Sequence, residues 1–122
     1  DTVHERAGMK TRERKFMEFL DHGGPATVPD IAARLGVSRQ FVQTTGNGLA
    51  SRKLVRFSEN PRHKRSRLAG LTKEGRAALE KARTNENRII EQVLPDIDGG
   101  QAGQAQHLLM TIRERIGKIQ NP

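Results

Sequence analysis

Gln40, Gln43, Thr44, Asn47 and Ser51 are the residues of this chain best suited to chemistry. At helical spacing they share one face, because Val42, Thr45, Gly46 and Leu49, at i, i+3, i+4 and i+7, occupy the other. A face of amides and hydroxyls both donates and accepts hydrogen bonds, as reading a base edge requires. Cations surround it. Between Ser38 and Arg67 lie Arg39, Arg52, Lys53, Arg56, Arg62, Lys64, Arg65 and Arg67 against Glu59 alone, which is +7 of the chain's net +8. A block of one sign inside a folded domain is a field source, and a polyanion is its natural partner.

Other chemistries find little support. His4, His22, His63 and His107 show neither i, i+4 pairing nor carboxylates at metal-ligand spacing, so no metal or other cofactor is expected. No Ser/His/Asp motif, glycine-rich strand-to-helix loop or close carboxylate pair is present, which argues against an enzyme. Cysteine is absent, excluding disulfides and thiolate sites. The aromatic residues are Phe16, Phe19, Phe41 and Phe57 alone, too few to line a ligand cavity or a stacking platform for single strands. Phe16, Phe19 and Phe57 read as core; Phe41 fits either packing on a supporting helix or a place near a DNA backbone, and packing is the expectation. The 122 residues suit one domain with an ordinary core. No apolar run reaches the length of a membrane span, and Asp1 to Arg6 alternates in charge rather than forming a signal peptide. A cytoplasmic setting is expected.

The elements that must position these residues follow from periodicity and capping. Phe16, Met17 and Leu20 mark a helix from Lys10 to Leu20 that stops at Asp21-His22-Gly23-Gly24-Pro25. Thr27-Val28-Pro29-Asp30 opens a second helix with Ile31, Ala32 and Leu35 inward and Gly36 as a left-handed cap. Ser38 caps a third helix running to about Arg52, in which Gly46 and Gly48 each weaken helix propensity by about 1 kcal/mol relative to Ala. Leu54 to Ser58 and Arg67 to Leu71 alternate as strands around the charged tip Glu59 to Ser66, predicting a β-hairpin. Thr72 then starts a long helix with Leu79, Ala82, Ile89, Ile90, Val93 and Leu94 as its stripe, broken by Pro95 to Gly100. Gly99 to Gly103 reads as a link. The last helix carries Ala105, Leu108, Leu109, Ile112, Ile116 and Ile119 along one seam.

Helix, turn, helix and basic hairpin together predict a mainly α fold with a small β-hairpin wing, a winged helix-turn-helix followed by C-terminal dimerisation helices. At Ile31-Ala32-Ala33-Arg34-Leu35-Gly36-Val37-Ser38-Arg39, Leu54-Val55, Asn60 to Ser66, and Leu71-Thr72-Lys73-Glu74-Gly75, the sequence resembles the MarR family of transcriptional regulators. The resemblance covers about residues 16–83. It implies a homodimeric repressor or activator of double-stranded DNA, with an interface built from N- and C-terminal helices and, in many members, a small-molecule effector. His63-Lys64-Arg65 stands where the family's wing carries an acidic residue before two arginines, which shifts a minor-groove contact towards Arg65. The family also begins with a further helix. Only nine residues precede Lys10, so either the start is missing or dimerisation rests mostly on the last two helices.

The expected division is a DNA-binding region over 9–72 and a dimerisation region over 73–120, in one continuous domain. The expected DNA contacts are Gln40, Gln43, Thr44, Asn47 and Ser51 on the reading face, Ser38, Arg39 and Arg52 at phosphates, and Arg62, Lys64, Arg65 and Arg67 from the wing. The expected dimer interface uses Ile90, Leu94, Leu108, Leu109, Ile112, Ile116 and Ile119, and the expected target is a pseudo-palindromic operator. The alternative is a winged-helix module that binds a protein, or nucleic acid without sequence preference. Gly46, Gly48 and His63 keep that alternative open.

Overall fold

A computed structural model describes residues 9–93, 96 and 98–120. The chain runs α1 (Thr11–Gly23), β1 (Ala26–Thr27), α2 (Val28–Leu35), α3 (Arg39–Ser51), β2 (Val55–Ser58), β3 (Leu68–Leu71), α4 (Lys73–Val93) and α5 (Gly99–Gln120). It divides into two compact units, Asp1–Ala82 and Arg83–Pro122, so the opening turns of α4 belong with the first.

The local signals act as capping chemistry dictates. Glu13 in the first turn of α1 accepts from the Lys10 N–H at 2.9 Å, and Gly24, at φ 79°, ends the helix. Thr27 caps α2 by accepting from the Asp30 N–H at 3.2 Å. Gly36, at φ 68°, closes it with its N–H on the Ala32 carbonyl. Ser38 caps α3 by accepting from the Phe41 N–H at 3.0 Å. That helix ends in a left-handed Lys53 at φ 62°. The Lys53 and Leu54 N–H groups reach back to the Ala50 and Leu49 carbonyls, both at 3.0 Å.

The first unit is organised around α3. Val42 and Leu49 are fully buried, as are Phe16 and Met17 from α1 and Ile31 from α2; burying each such side chain stabilises by about 1.5–3 kcal/mol. Phe19 and Phe57 pack partly buried against this core. Gly46 lets three elements meet: a Cβ there would lie 2.9 Å from Cζ of Phe57 and 3.1 Å from Cζ of Phe16. The residue that weakens the isolated helix therefore admits the closest approach of hairpin and first helix.

The hairpin forms as expected, with Val55 opposite Leu71 and Phe57 opposite Ala69. The sheet has a third strand that periodicity does not reveal. β1 pairs antiparallel with β3, Ala26 opposite Ala69 and Thr27 opposite Leu68, giving the order β1-β3-β2. Two residues are too short for an alternating pattern, and Thr27 already declares itself as a helix cap. Because β1 leads directly into α2, it ties the wing to the helix-turn-helix. The hairpin's exit is fixed by Thr72, whose hydroxyl donates to the Lys53 carbonyl at 2.7 Å and accepts from the Gly75 N–H at 2.9 Å.

In the second unit the expected link is displaced. Gly99 to Gly103 lies within the first turns of α5 rather than between helices. The Asp98 carboxylate accepts from the Gln101 N–H at 2.8 Å and the Gln101 side chain accepts from the Asp98 N–H at 3.0 Å. This reciprocal cap satisfies N–H groups that a helix start leaves orphaned, and offsets the weak propensity of the glycines. Ala102 and Ile90 are buried, while Ile89 and Val93, expected on the inward stripe of α4, are exposed. Of that stripe, Leu79, Ala82 and Ile90 are the buried positions. Leu94 lies outside the described residues.

Candidate nucleic-acid interface

Every residue expected to contact DNA is solvent-exposed: Ser38, Arg39, Gln40, Gln43, Thr44, Asn47, Ser51 and Arg52 along α3, and Arg62, Lys64, Arg65 and Arg67 on the wing. The same helix buries Val42, Thr45, Gly46 and Leu49, so its two faces divide as the spacing predicts. Gln43 donates from Nε2 to Oδ1 of Asn47 at 2.8 Å, one turn apart. The Gln43 carbonyl and the Asn47 amide group stay open, an acceptor and a donor held side by side.

The wing tip is built from two successive turns. The His63 N–H meets the Asn60 carbonyl at 3.1 Å and the Ser66 N–H meets the His63 carbonyl at 3.2 Å. The Asn60 side chain accepts from the Arg62 N–H at 3.0 Å, the local bond that favours Asn at turns. Arg39, Arg62, Lys64, Arg65 and Arg67 form no ion pair with a carboxylate among the described residues. Their field is therefore unneutralised at close range.

Helix and wing converge. A cleft of about 340 Å³ is lined by Gln43 and Asn47 from α3, Phe57, Arg65, Ser66 and Arg67 from the hairpin, and Val28 and Pro29 at the start of α2. A second concavity of about 380 Å³ holds Ser38, Gln40, Phe41, Thr44 and Thr45 with Arg12 of α1. Sequence reasoning missed Val28, Pro29, Ser66 and Arg12. The first three reach the cleft through the pairing of β1 with β3, and Arg12 through the packing of α1 on α3; neither contact has a local signature.

Two expectations change. Phe41 does not pack inward; it is 45% exposed. Phe16 and Phe57 fill the space at Gly46, and helical order puts Phe41, in the first turn of α3, on the other flank. Arg52 is not a free cation, since its Nη1 lies 2.9 Å from Oε2 of Glu13, across 39 residues of chain. Of the expected dimer residues, Ile90 is buried within its own chain, whereas Leu108, Leu109, Ile112 and Ile116 are 44–59% exposed along α5. Leu94 and the Ile119 side chain lie outside the described residues. No group of three or more potential metal ligands occurs among the described residues, and no helix there is long and apolar enough to cross a membrane.

A capped support helix, a tight turn, a helix with one polar face and a cationic hairpin beside it define a winged helix-turn-helix protein. Residues 7–66 match the model of the MarR family. The same architecture recurs in solved structures. YusO from Bacillus subtilis superimposes with a TM-score of 0.75 at 21% identity, covering 93% of this chain and 80% of that one. The regulator Tm0710 from Thermotoga maritima gives 0.68 at 16%, covering 99% and 85%. A mutant MarR from E. coli complexed with operator DNA gives 0.66 at 18%, covering 90% and 81%. The chain belongs to the MarR family. Uncharacterised proteins of Mycobacterium tuberculosis and Mycobacterium bovis are 42% identical to it over 73 residues, or 57% of this chain. The match covers 51% of each relative, so the chain spans about half the length of the curated relatives it matches.

Proposed function

We propose that the protein is a sequence-specific regulator of transcription that binds double-stranded DNA as a homodimer. The shared cleft carries this reading: Gln43 and Asn47, able to read base edges, face the same concavity as the wing cations Arg65 and Arg67. In this arrangement α3 enters the major groove. Gln40, Gln43, Thr44 and Asn47 meet base edges, Ser51 follows on the same face, and Ser38 and Arg39 meet phosphates at the helix start. Arg62, Lys64, Arg65 and Arg67 hold the flanking backbone. Arg52 contacts phosphate from a position set by Glu13. The family membership and the operator complex of the E. coli neighbour support the same assignment.

A homodimer on a pseudo-palindromic operator places equivalent half-sites about 34 Å apart. Its interface is the exposed apolar face of α5, and its region of the chain begins in α4. Gln43→Ala is expected to lose about 1–3 kcal/mol of discrimination at one base position. Arg65→Ala is expected to weaken all duplexes alike and to reduce the slope of log affinity against log salt by about 1. Fluorescence anisotropy at two salt concentrations, on a duplex selected from a random pool and on random duplex, measures both. A selected duplex bound no more than about tenfold better than random sequence, far below ordinary specific ratios, overturns the sequence-reading role in favour of non-specific binding.

A further inference from the structure

We propose that Phe41 is a specificity-determining residue that packs against the C5-methyl group of a thymine in the operator; this rests on the sequence-reading role above. The backbone at Phe41 is held twice. Its N–H donates to the Ser38 hydroxyl at 3.0 Å, and its carbonyl accepts from the Thr45 hydroxyl at 2.9 Å. The ring nevertheless stays 45% exposed in the first turn of the helix, where groove-inserting helices make their base contacts. Its neighbours in the concavity are the cap residue Ser38, Gln40, Thr44 and Thr45 of α3, and Arg12 of α1.

Helical order gives the exposed face of α3 a chemical gradient. Gln43 and Asn47 lie toward the wing, Gln40 and Thr44 at the centre, and Phe41 on the opposite flank. An aromatic ring there has no donor or acceptor to offer a base edge. Among the features that the bases present in a major groove, the thymine methyl is the apolar one. Covering a methyl with a preformed apolar surface favours binding by about fourfold. The gradient therefore matches a site in which hydrogen-bonded base pairs adjoin a thymine.

The test uses the whole chain and a duplex obtained by repeated selection from a random pool. Each thymine is replaced singly by uracil, which removes the methyl and keeps the pairing. The wild-type chain is expected to lose about fourfold in affinity at one thymine per half-site. Phe41→Ala is expected to bind thymine and uracil equally there while keeping the wild-type salt slope, and Phe41→Leu to retain part of the preference. Circular dichroism verifies that both variants fold. Indifference of the wild-type chain to every replacement overturns the proposal. So does full thymine preference in Phe41→Ala, or an equal loss by that variant on selected and random duplexes. A wild-type chain that prefers no selected duplex over random sequence overturns the sequence-reading role itself, and is distinguished by that result alone.

Discussion

Gly46 and Gly48 are two residues apart in one helix, yet their environments demand opposite outcomes from the same substitution. A Cβ at Gly48 meets nothing within 4 Å, so Gly48→Ala restores ordinary helix propensity and is expected to stabilise by about 1 kcal/mol. A Cβ at Gly46 falls 2.9 Å from the Phe57 ring, and Gly46→Ala must displace a packed aromatic, at a cost of about 1–3 kcal/mol. Urea unfolding midpoints of the two variants, measured side by side, are expected to move in opposite directions. The same reasoning explains Gly75, where a Cβ would sit 2.0 Å from the Leu54 carbonyl oxygen. The glycine in Leu71-Thr72-Lys73-Glu74-Gly75 is demanded by backbone meeting backbone. Arg52 shows a related limit of sequence reading. Its charge and position mark a phosphate contact, but Glu13, nine-tenths buried and also bonded to the Lys10 N–H, is the partner that sets its place.

At the scale of elements, the junction between α3 and β2 fixes how that helix hands the chain to the wing. Lys53 occupies the left-handed position that ends α3, with φ 62°, a conformation that costs a residue bearing a Cβ about 1–2 kcal/mol. Lys53→Gly removes that strain but adds freedom to the unfolded chain, so a net gain of about 0.5–1 kcal/mol is expected. Thr72→Val removes both hydroxyl bonds at the same junction, to the Lys53 carbonyl and from the Gly75 N–H. It is expected to destabilise by about 1–2 kcal/mol. Thermal unfolding followed by circular dichroism checks the pair. A fall in stability for Lys53→Gly would mean that the lysine side chain makes a compensating contact. β1 is the other determinant at this scale: through its pairing with β3, the start of α2 and the wing line one cleft.

At the scale of the whole molecule, α5 leaves Leu108, Leu109, Ile112 and Ile116 exposed at helical spacing, a contiguous apolar face of the kind that marks a protein interface. The doubly charged variant Leu109→Glu/Ile112→Glu is expected to be monomeric by light scattering at concentrations where the parent chain is dimeric. Its affinity for a duplex with two half-sites is expected to fall by about a hundredfold, as linked binding is lost. An unchanged mass would place the interface elsewhere. The boundaries of α2 and α3, the start of α1, the faces of α3 and the hairpin were legible in the residues alone, whereas α1 runs on to Gly23, past the expected stop at Asp21. Caps satisfy N–H groups three residues away, and the 3.6-residue period sorts buried from exposed positions within a single element. The third strand, the need for glycine at Gly46, the outward ring of Phe41 and the partner of Arg52 were decided by the tertiary structure. Each depends on segments distant in the chain arriving at one place, and no local pattern records which of them will meet.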